Sequence, residues 1–238
     1  MIRLEKEGGV GVMTMDHERE NRFHPDFLRE MLGLLDEAEK DPQVRALVVT
    51  GGDPKFFSNG LDLDWLMAHA EDRDELLGYL RLVNEMFRRW TLYPKPTVAA
   101  LNGHTFAAGL FMAAHMDFRL MREDRGWICL PEVDINIPLL PGMIAICQAT
   151  MRPDGFRRLY YTGARLTGPE AVGIGFVESV HPLDGLLPAC VEFAGMLGGK
   201  KTATYAKMKH CVRREIARIL EEVDPNHFEE TLSFSVNP

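Results

Sequence analysis

The fold class this sequence predicts is α/β, one domain of 238 residues with a helical C-terminal extension, on three observations. Short apolar runs alternate with segments of helical periodicity from the first residues onward. One of those runs, Val44–Thr50, is apolar almost throughout, as a strand covered on both faces requires. From Leu186 the pattern becomes mostly helical. A globule of this length buries roughly 70–75% of the surface of its unfolded chain and needs no disulfide or metal staple.

Taken in order, Ile2–Glu5 and Val10–Met15 read as strands and Pro25–Lys40 as a helix. Pro25 suits the first helical position, where its missing N–H would have been unpaired anyway, and Phe27, Leu28, Met31, Leu32, Leu35 and Ala38 mark one face. The Val44–Thr50 strand ends at Gly51-Gly52. Asp72–Trp90 is a second long helix with Leu76, Leu80, Val83 and Phe87 on its inner face; Pro94 and Pro96 end it before a strand at Thr97–Leu101. A buried helix at Ala107–His115, strands at Phe118–Met121 and Trp127–Leu130, and helices at Gly142–Thr150, Asp154–Tyr161 and Pro169–Gly173 follow. A strand at Phe176–Val180 precedes the helical region, whose amphipathic Thr204–Val223 stretch suits covering the core or a neighbouring subunit. No repeat with a period of roughly 20–50 residues is visible. The domain reading is a core over residues 1–195 with residues 196–238 as an extension of the same unit.

Composition removes several function classes. Net charge is −8 and the Lys and Arg residues are scattered, which argues against a nucleic-acid or anionic-membrane surface. The uncharged stretch Pro96–Met116 has the length of a membrane span, but Pro96, Asn102, Gly103 and His104 make it a buried strand-turn-helix. The first residues lack the apolar core of a signal peptide and Ser233–Pro238 is not an S-K-L type ending, so a cytoplasmic protein is expected. Cys129, Cys147, Cys190 and Cys211 are widely spaced in apolar surroundings and read as reduced thiols, with no metal site. There is no P-loop, no G-x-G-x-x-G after a strand and no G-x-S-x-G elbow, so neither a nucleotide cofactor nor serine hydrolysis is expected.

One carboxylate stands out. Pro131-Glu132-Val133-Asp134 follows the uncharged run Ala100-Leu101-Asn102-Gly103-His104-Thr105-Phe106-Ala107-Ala108-Gly109, and a second small-polar-Gly turn lies upstream in Phe57-Ser58-Asn59-Gly60-Leu61-Asp62. Both Gly-containing segments can bring main-chain N–H groups up to a carbonyl oxygen, and an acid beside such a pair points to proton abstraction next to an activated carbonyl.

These segments, with Thr162-Gly163-Ala164-Arg165-Leu166 and Gly175-Phe176-Val177 after them in register, resemble the enoyl-CoA hydratase/isomerase (crotonase) superfamily over roughly residues 1–200. The wording is most similar to short plant-type Δ3,Δ2-enoyl-CoA isomerases. The resemblance implies a ClpP/crotonase-like spiral of ββα units, an acyl-CoA substrate whose coenzyme A is the only cofactor-like group, and trimers or pairs of trimers. It places the oxyanion hole on the N–H groups of Leu61 and Ala108, the acid/base on Glu132, and substrate contacts at Ser58, Asn59, Gly60, Asp62, Gly109, Phe111 and Leu140.

Hydratases of the family use two glutamates, one at the Glu132 position and one about twenty residues earlier, to position and deprotonate water. Here the earlier position falls on Phe111. Dienoyl-CoA isomerases place a further acid eight positions after the glutamate, where this chain has Leu140. A lone carboxylate over Phe111, Ile137, Leu139 and Leu140 therefore suits transfer of one proton from carbon 2 to carbon 4 of a 3-enoyl thioester. Hydration, thioester hydrolysis and non-catalytic acyl-CoA binding are the rival readings. Asp134 and His104 are expected to be structural, Asp62 to cap a turn or helix, and Lys55, Arg88, Arg89, Lys207 and Lys209 are candidate partners for the CoA phosphates.

Overall fold

Two strands followed by a helix recur along the chain. The computed structural model, which describes residues 1–236, begins with an antiparallel hairpin of β1 (Ile2–Glu7) and β2 (Val10–Met15), followed by α1 (Pro25–Lys40). Then come β3 (Ala46–Gly51) and β4 (Phe56–Ser58) with α2 (Leu63–Ala68) and α3 (Arg73–Leu92), and next β5 (Thr97–Leu101) and β6 (His104–Phe106) with α4 (Ala108–His115). β7 (Phe118–Arg122) and β8 (Ile128–Cys129) lead through a 3-10 turn at Pro131–Val133 into α5 (Pro141–Thr150). Helices α6 (Pro153–Thr162) and α7 (Gly168–Gly173) precede β9 (Ser179–His181), after which α8 (Leu183–Gly198), α9 (Thr202–Arg218) and α10 (Phe228–Val236) follow. A π-helical turn at Ile219–Val223 and a 3-10 turn at Asp224–His227 join the last two. Asn237 and Pro238, the end of the expected extension and of the segment read for a targeting signal, lie outside the described residues.

The large sheet has the order β1-β2-β3-β5-β7-β9 and is parallel from β2 onward, while β4, β6 and β8 form a second parallel sheet. The first unit places both strands of its hairpin in the large sheet, and each of the next three gives its first strand to that sheet and its second to the other, which generates the expected ββα spiral. Helices and loops of unequal length separate the units, so the repetition leaves no fixed period in the sequence.

The apolar strands are explained by cover on both faces. Val12, Val48 and Val98 lie side by side in register, and they and Ala46, Ala100 and Leu120 meet Leu186, Cys190, Ala194 and Leu197 of α8. The alternate residues Met13, Leu47, Val49, Ala99 and Met121 point into the main core with Phe27 and Leu35 of α1 and Phe87 and Trp90 of α3. The second sheet peels away at corners that Asn102 ties together: its amide donates to Asp53 O (2.7 Å) and accepts from Gly51 N–H (2.9 Å). That bond pair fixes where β4 and β6 leave the large sheet, and with them the two Gly-containing turns.

The C-terminal helices are held by buried charge. Asp117 at the start of β7 sits 2.6 Å from Lys209 and 3.4 Å from Arg213 and accepts from the Tyr205 hydroxyl (3.0 Å), all three on α9. Helix α8 runs across residue 195, so core and extension meet within one helix rather than at a linker.

The structure differs from the sequence reading in a few elements. β4 and β6 have three residues each, too few for an alternating signal, and α2 has no fully buried residue and hence no apolar stripe. The strand expected at Trp127–Leu130 shrinks to Ile128–Cys129 because Pro131 starts a 3-10 turn. The strand expected at Phe176–Val180 shifts to Ser179–His181; Phe176 and Val177 are buried in the preceding turn, where both N–H groups donate to Ala171 O.

Candidate active site

Glu132 reaches its place because β8 ends at Cys129 and the 3-10 turn at Pro131–Val133 brings it to the cavity that Ala108 and Phe111 of α4 and Met143 of α5 also line. Its carbonyl accepts from Ile137 N–H (3.1 Å), which folds the following loop back over it. The residue is 7% exposed, and one carboxylate oxygen has no hydrogen-bond partner among the described residues. Burial pushes the carboxyl up to about 7, since a charge there gives up water without a cation in exchange. The group borders a cavity of about 390 Å³ whose floor is Phe111, Ile137, Leu139, Leu140 and Met143.

Two backbone amides face the same cavity, and their directions follow from the carbonyls bonded to them. In a trans peptide, C=O and N–H point opposite ways. Gly60 O accepts from Phe23 N–H (2.7 Å), so the Leu61 N–H points away from that bridge. Ala107 O accepts from Leu110 and Phe111 N–H (2.9 and 3.2 Å), so the Ala108 N–H points out of the N-terminus of α4. Leu61, Ala107 and Ala108 all line the cavity. Gly60 lets the two turns meet: it lies at φ +84°, and a Cβ on it would stand 2.6 Å from Ala108 N. Ala107 is itself at φ +50°, ψ −127°, a conformation glycine adopts more readily, and is held there by its N–H bond to Cys129 O (3.0 Å). The Tyr79 hydroxyl braces the other side, donating to Phe23 O (2.7 Å) and accepting from Asp62 N–H (3.2 Å).

Of the residues singled out from sequence, Glu132, Leu61, Ala108, Asn59, Phe111 and Leu140 are brought together at the cavity. Ser58, Gly60, Asp62 and Gly109 are not on its wall. Ser58 is fully buried behind it, donating to Asn21 O (2.8 Å) and accepting from Gly60 N–H (3.1 Å). Gly109 packs against Ser58, whose oxygen would be 2.6 Å from a Cβ there. Asp62 caps α2 by accepting from Trp65 N–H (3.2 Å). His104 faces away, its ring among Phe56, Phe106 and Trp127 and its buried Nδ1 without a hydrogen-bond partner among the described residues.

None of the five candidate cations lines the cavity. Arg88 pairs with Glu85, Arg89 with Asp36 and Glu39, Lys209 with Asp117, Lys55 lies over the Phe56 ring, and Lys207 is exposed. The cation at the mouth is Arg22, bonded to Glu18 and Asp64, with Glu20 beside it. Leu80, Met143 and Thr231 also border the cavity and no local pattern announced them, because each is an ordinary helix position whose role comes from a distant contact.

Two amides bordering one cavity can hold an oxygen on which negative charge develops, and a carboxyl near 7 can both take and return a proton. Among the described residues, no group of three or more His, Cys, Asp or Glu is placed to hold a metal ion, and no helix is long and apolar enough to cross a membrane.

Fold and site together define a crotonase-type protein, in which a ββα spiral sets two amide-bearing turns and an acid around one cavity. The sequence pattern of the family described as enoyl-CoA hydratase/isomerase matches residues 5–233, and the chain belongs to that family of enzymes. It is 34% identical over 233 residues to enoyl-CoA delta isomerase 3 of Arabidopsis thaliana, covering 93% of this chain and 95% of the relative. It is also 34% identical over 229 residues to enoyl-CoA delta isomerase 2, peroxisomal, of the same plant, covering 92% and 95%. The crystal structure of human mitochondrial delta3-delta2-enoyl-CoA isomerase superimposes with a TM-score of 0.91 at 24% identity, covering 99% of this chain and 92% of that one, a likeness of fold.

Proposed function

We propose that this protein is a Δ3,Δ2-enoyl-CoA isomerase with Glu132 as its single acid/base. The Glu132 carboxylate takes a proton from carbon 2 of a 3-enoyl thioester. The electrons of that C–H bond become a dienolate whose charge rests on the thioester oxygen, held by the Leu61 and Ala108 N–H groups. Glu132, now protonated, returns the proton to carbon 4, the carbonyl re-forms, and the double bond lies between carbons 2 and 3. Each amide donor is worth on the order of 3 kcal/mol of barrier. Nothing but the coenzyme A portion of the substrate is required as a cofactor, so activity is expected to survive dialysis against a chelator.

The observation that carries this reading is one buried carboxyl, at about 7, on a cavity whose remaining floor is apolar. The position from which a second glutamate would handle water is Phe111, 1% exposed. Asp64 stands at the mouth with its side chain 80% exposed and paired to Arg22, away from the floor. The relatives named as delta isomerases point the same way. The test is to incubate the protein with a 3-enoyl-CoA and separately with a 2-enoyl-CoA, following product mass and double-bond position. Conversion of the first to the 2-enoyl thioester without gain of water is expected; a hydrated product or free acid would replace this reading with hydration or hydrolysis. We further propose assembly into trimers or pairs of trimers in the cytoplasm, with sedimentation velocity of the purified protein and imaging of the tagged chain as the checks.

A further inference from the structure

Helix α5 begins without a cap of its own. Leu140 precedes it and offers no side-chain acceptor, and Pro141 has no N–H, so the first donor at this helix end is Gly142 N–H. That donor is bonded to Asp224 Oδ1 at 2.8 Å, from a residue far along the chain in the 3-10 turn after α9. Asp224 is fully buried, and its second oxygen has no partner among the described residues. A Cβ on Gly142 would lie 2.5 Å from that oxygen and 2.6 Å from Leu220, so the glycine is where α5 presses onto the C-terminal segment. The residues on either side of this contact, Leu140 and Met143, belong to the cavity floor.

The same segment grips the opposite wall. Asn84 of α3 donates to Leu220 O at 2.5 Å, and Leu80, one turn earlier on α3, also borders the cavity. Leu220 lies in the π-helical turn that interrupts the run from α9, a distortion that turns Asp224 toward α5. One short stretch, Leu220–Asp224, therefore spans α3 and α5 and fixes how far apart their cavity-lining residues stand.

We infer that Asp224 is a positioning residue that, by holding Gly142, sets the shape of the acyl-binding floor and so the preference for acyl chain length; this rests on the acyl-CoA reading above. The carboxylate also complements the positive end of α5. Asparagine can keep the accepting oxygen, whereas alanine leaves the Gly142 N–H without a partner.

The test compares Asp224→Ala and Asp224→Asn with the parent in two measurements. The first is kcat/KM for six-carbon and twelve-carbon 3-enoyl-CoA. The second is the Kd for the matching saturated acyl-CoA thioesters by calorimetry, which needs no isomerase chemistry. In Asp224→Ala the long-to-short ratio is expected to change roughly tenfold or more, the scale at which apolar pockets sense added methylenes. Asp224→Asn is expected to keep the parent's ratio. A merely structural role would lower every substrate by one factor through the folded fraction, and an unchanged ratio in Asp224→Ala overturns the inference. If the parent binds the saturated thioesters but isomerises nothing, the proposed reaction fails while the Kd ratios still decide the role of Asp224. Binding of neither thioester by the parent overturns both.

Discussion

Burial raises the Glu132 carboxyl to about 7 from its ordinary 4.5, and this bears on activity and stability with opposite signs. As a base it works when ionised, so kcat/KM is expected to rise with pH through about 7 and then level, which a pH profile on a 3-enoyl-CoA checks. For stability, the unfolded chain loses this proton near 4.5 while the folded chain keeps it to about 7. The folded state binds more protons in that window, so the contribution falls as pH rises across it and stays low above it. Glu132→Gln is thus expected to abolish isomerisation while raising stability at pH 8 by at most about 3 kcal/mol, an advantage absent at pH 4. Urea unfolding at the two pH values tests this. That Glu132 would stand beside the two glycine turns was legible because the motif around it is local. Its protonation was legible only as a tendency, since the depth of burial depends on residues brought to it by the fold, such as Phe111 and Met143 on the same cavity.

At the scale of elements, the two amides depend on the braces behind them. Removing the Tyr79 hydroxyl in Tyr79→Phe leaves Phe23 O and Asp62 N–H without that partner, which is expected to cost about 1–3 kcal/mol of stability and to lower kcat more than it raises KM. Thermal unfolding and steady-state kinetics separate the two effects. The positive φ of Ala107 holds strain that Ala107→Gly relieves, so this variant is expected to gain up to about 1–2 kcal/mol in thermal unfolding while losing kcat as the Ala108 amide becomes freer. The glycine turns were readable in sequence because only small residues allow such close approach. Tyr79 was not, because it sits on the inner face of a long helix like any core aromatic. That the candidate cations for the CoA phosphates lie off the cavity was unreadable for a related reason: an unpaired lysine and one buried 2.6 Å from Asp117 look alike in one dimension.

For the whole molecule, the strand-helix rhythm carried the fold class, since cover on both sheet faces writes itself into runs such as Val44–Thr50. The docking of the C-terminal helices did not show, because it rests on Asp117 meeting Tyr205, Lys209 and Arg213 across a long stretch of chain. The Lys209 and Arg213 side chains are only 4% and 12% exposed, so Asp117→Asn strands two buried cations. It is expected to destabilise the fold by about 3–5 kcal/mol, read as a lower urea midpoint, with α9 the first element to lose protection in hydrogen exchange.

Among the described residues Thr231 alone of the cavity lining comes after residue 143, and the Asp224 that bonds to Gly142 comes almost as late. On the ribosome Glu132 and both amide turns emerge first, and Leu139, Leu140 and Met143 then wait as an open apolar trough while α6 to α9 are still being made. For that interval the unfinished site is a greasy surface in a crowded cell, a natural stop for a chaperone until the segment from Leu220 to Thr231 closes over it.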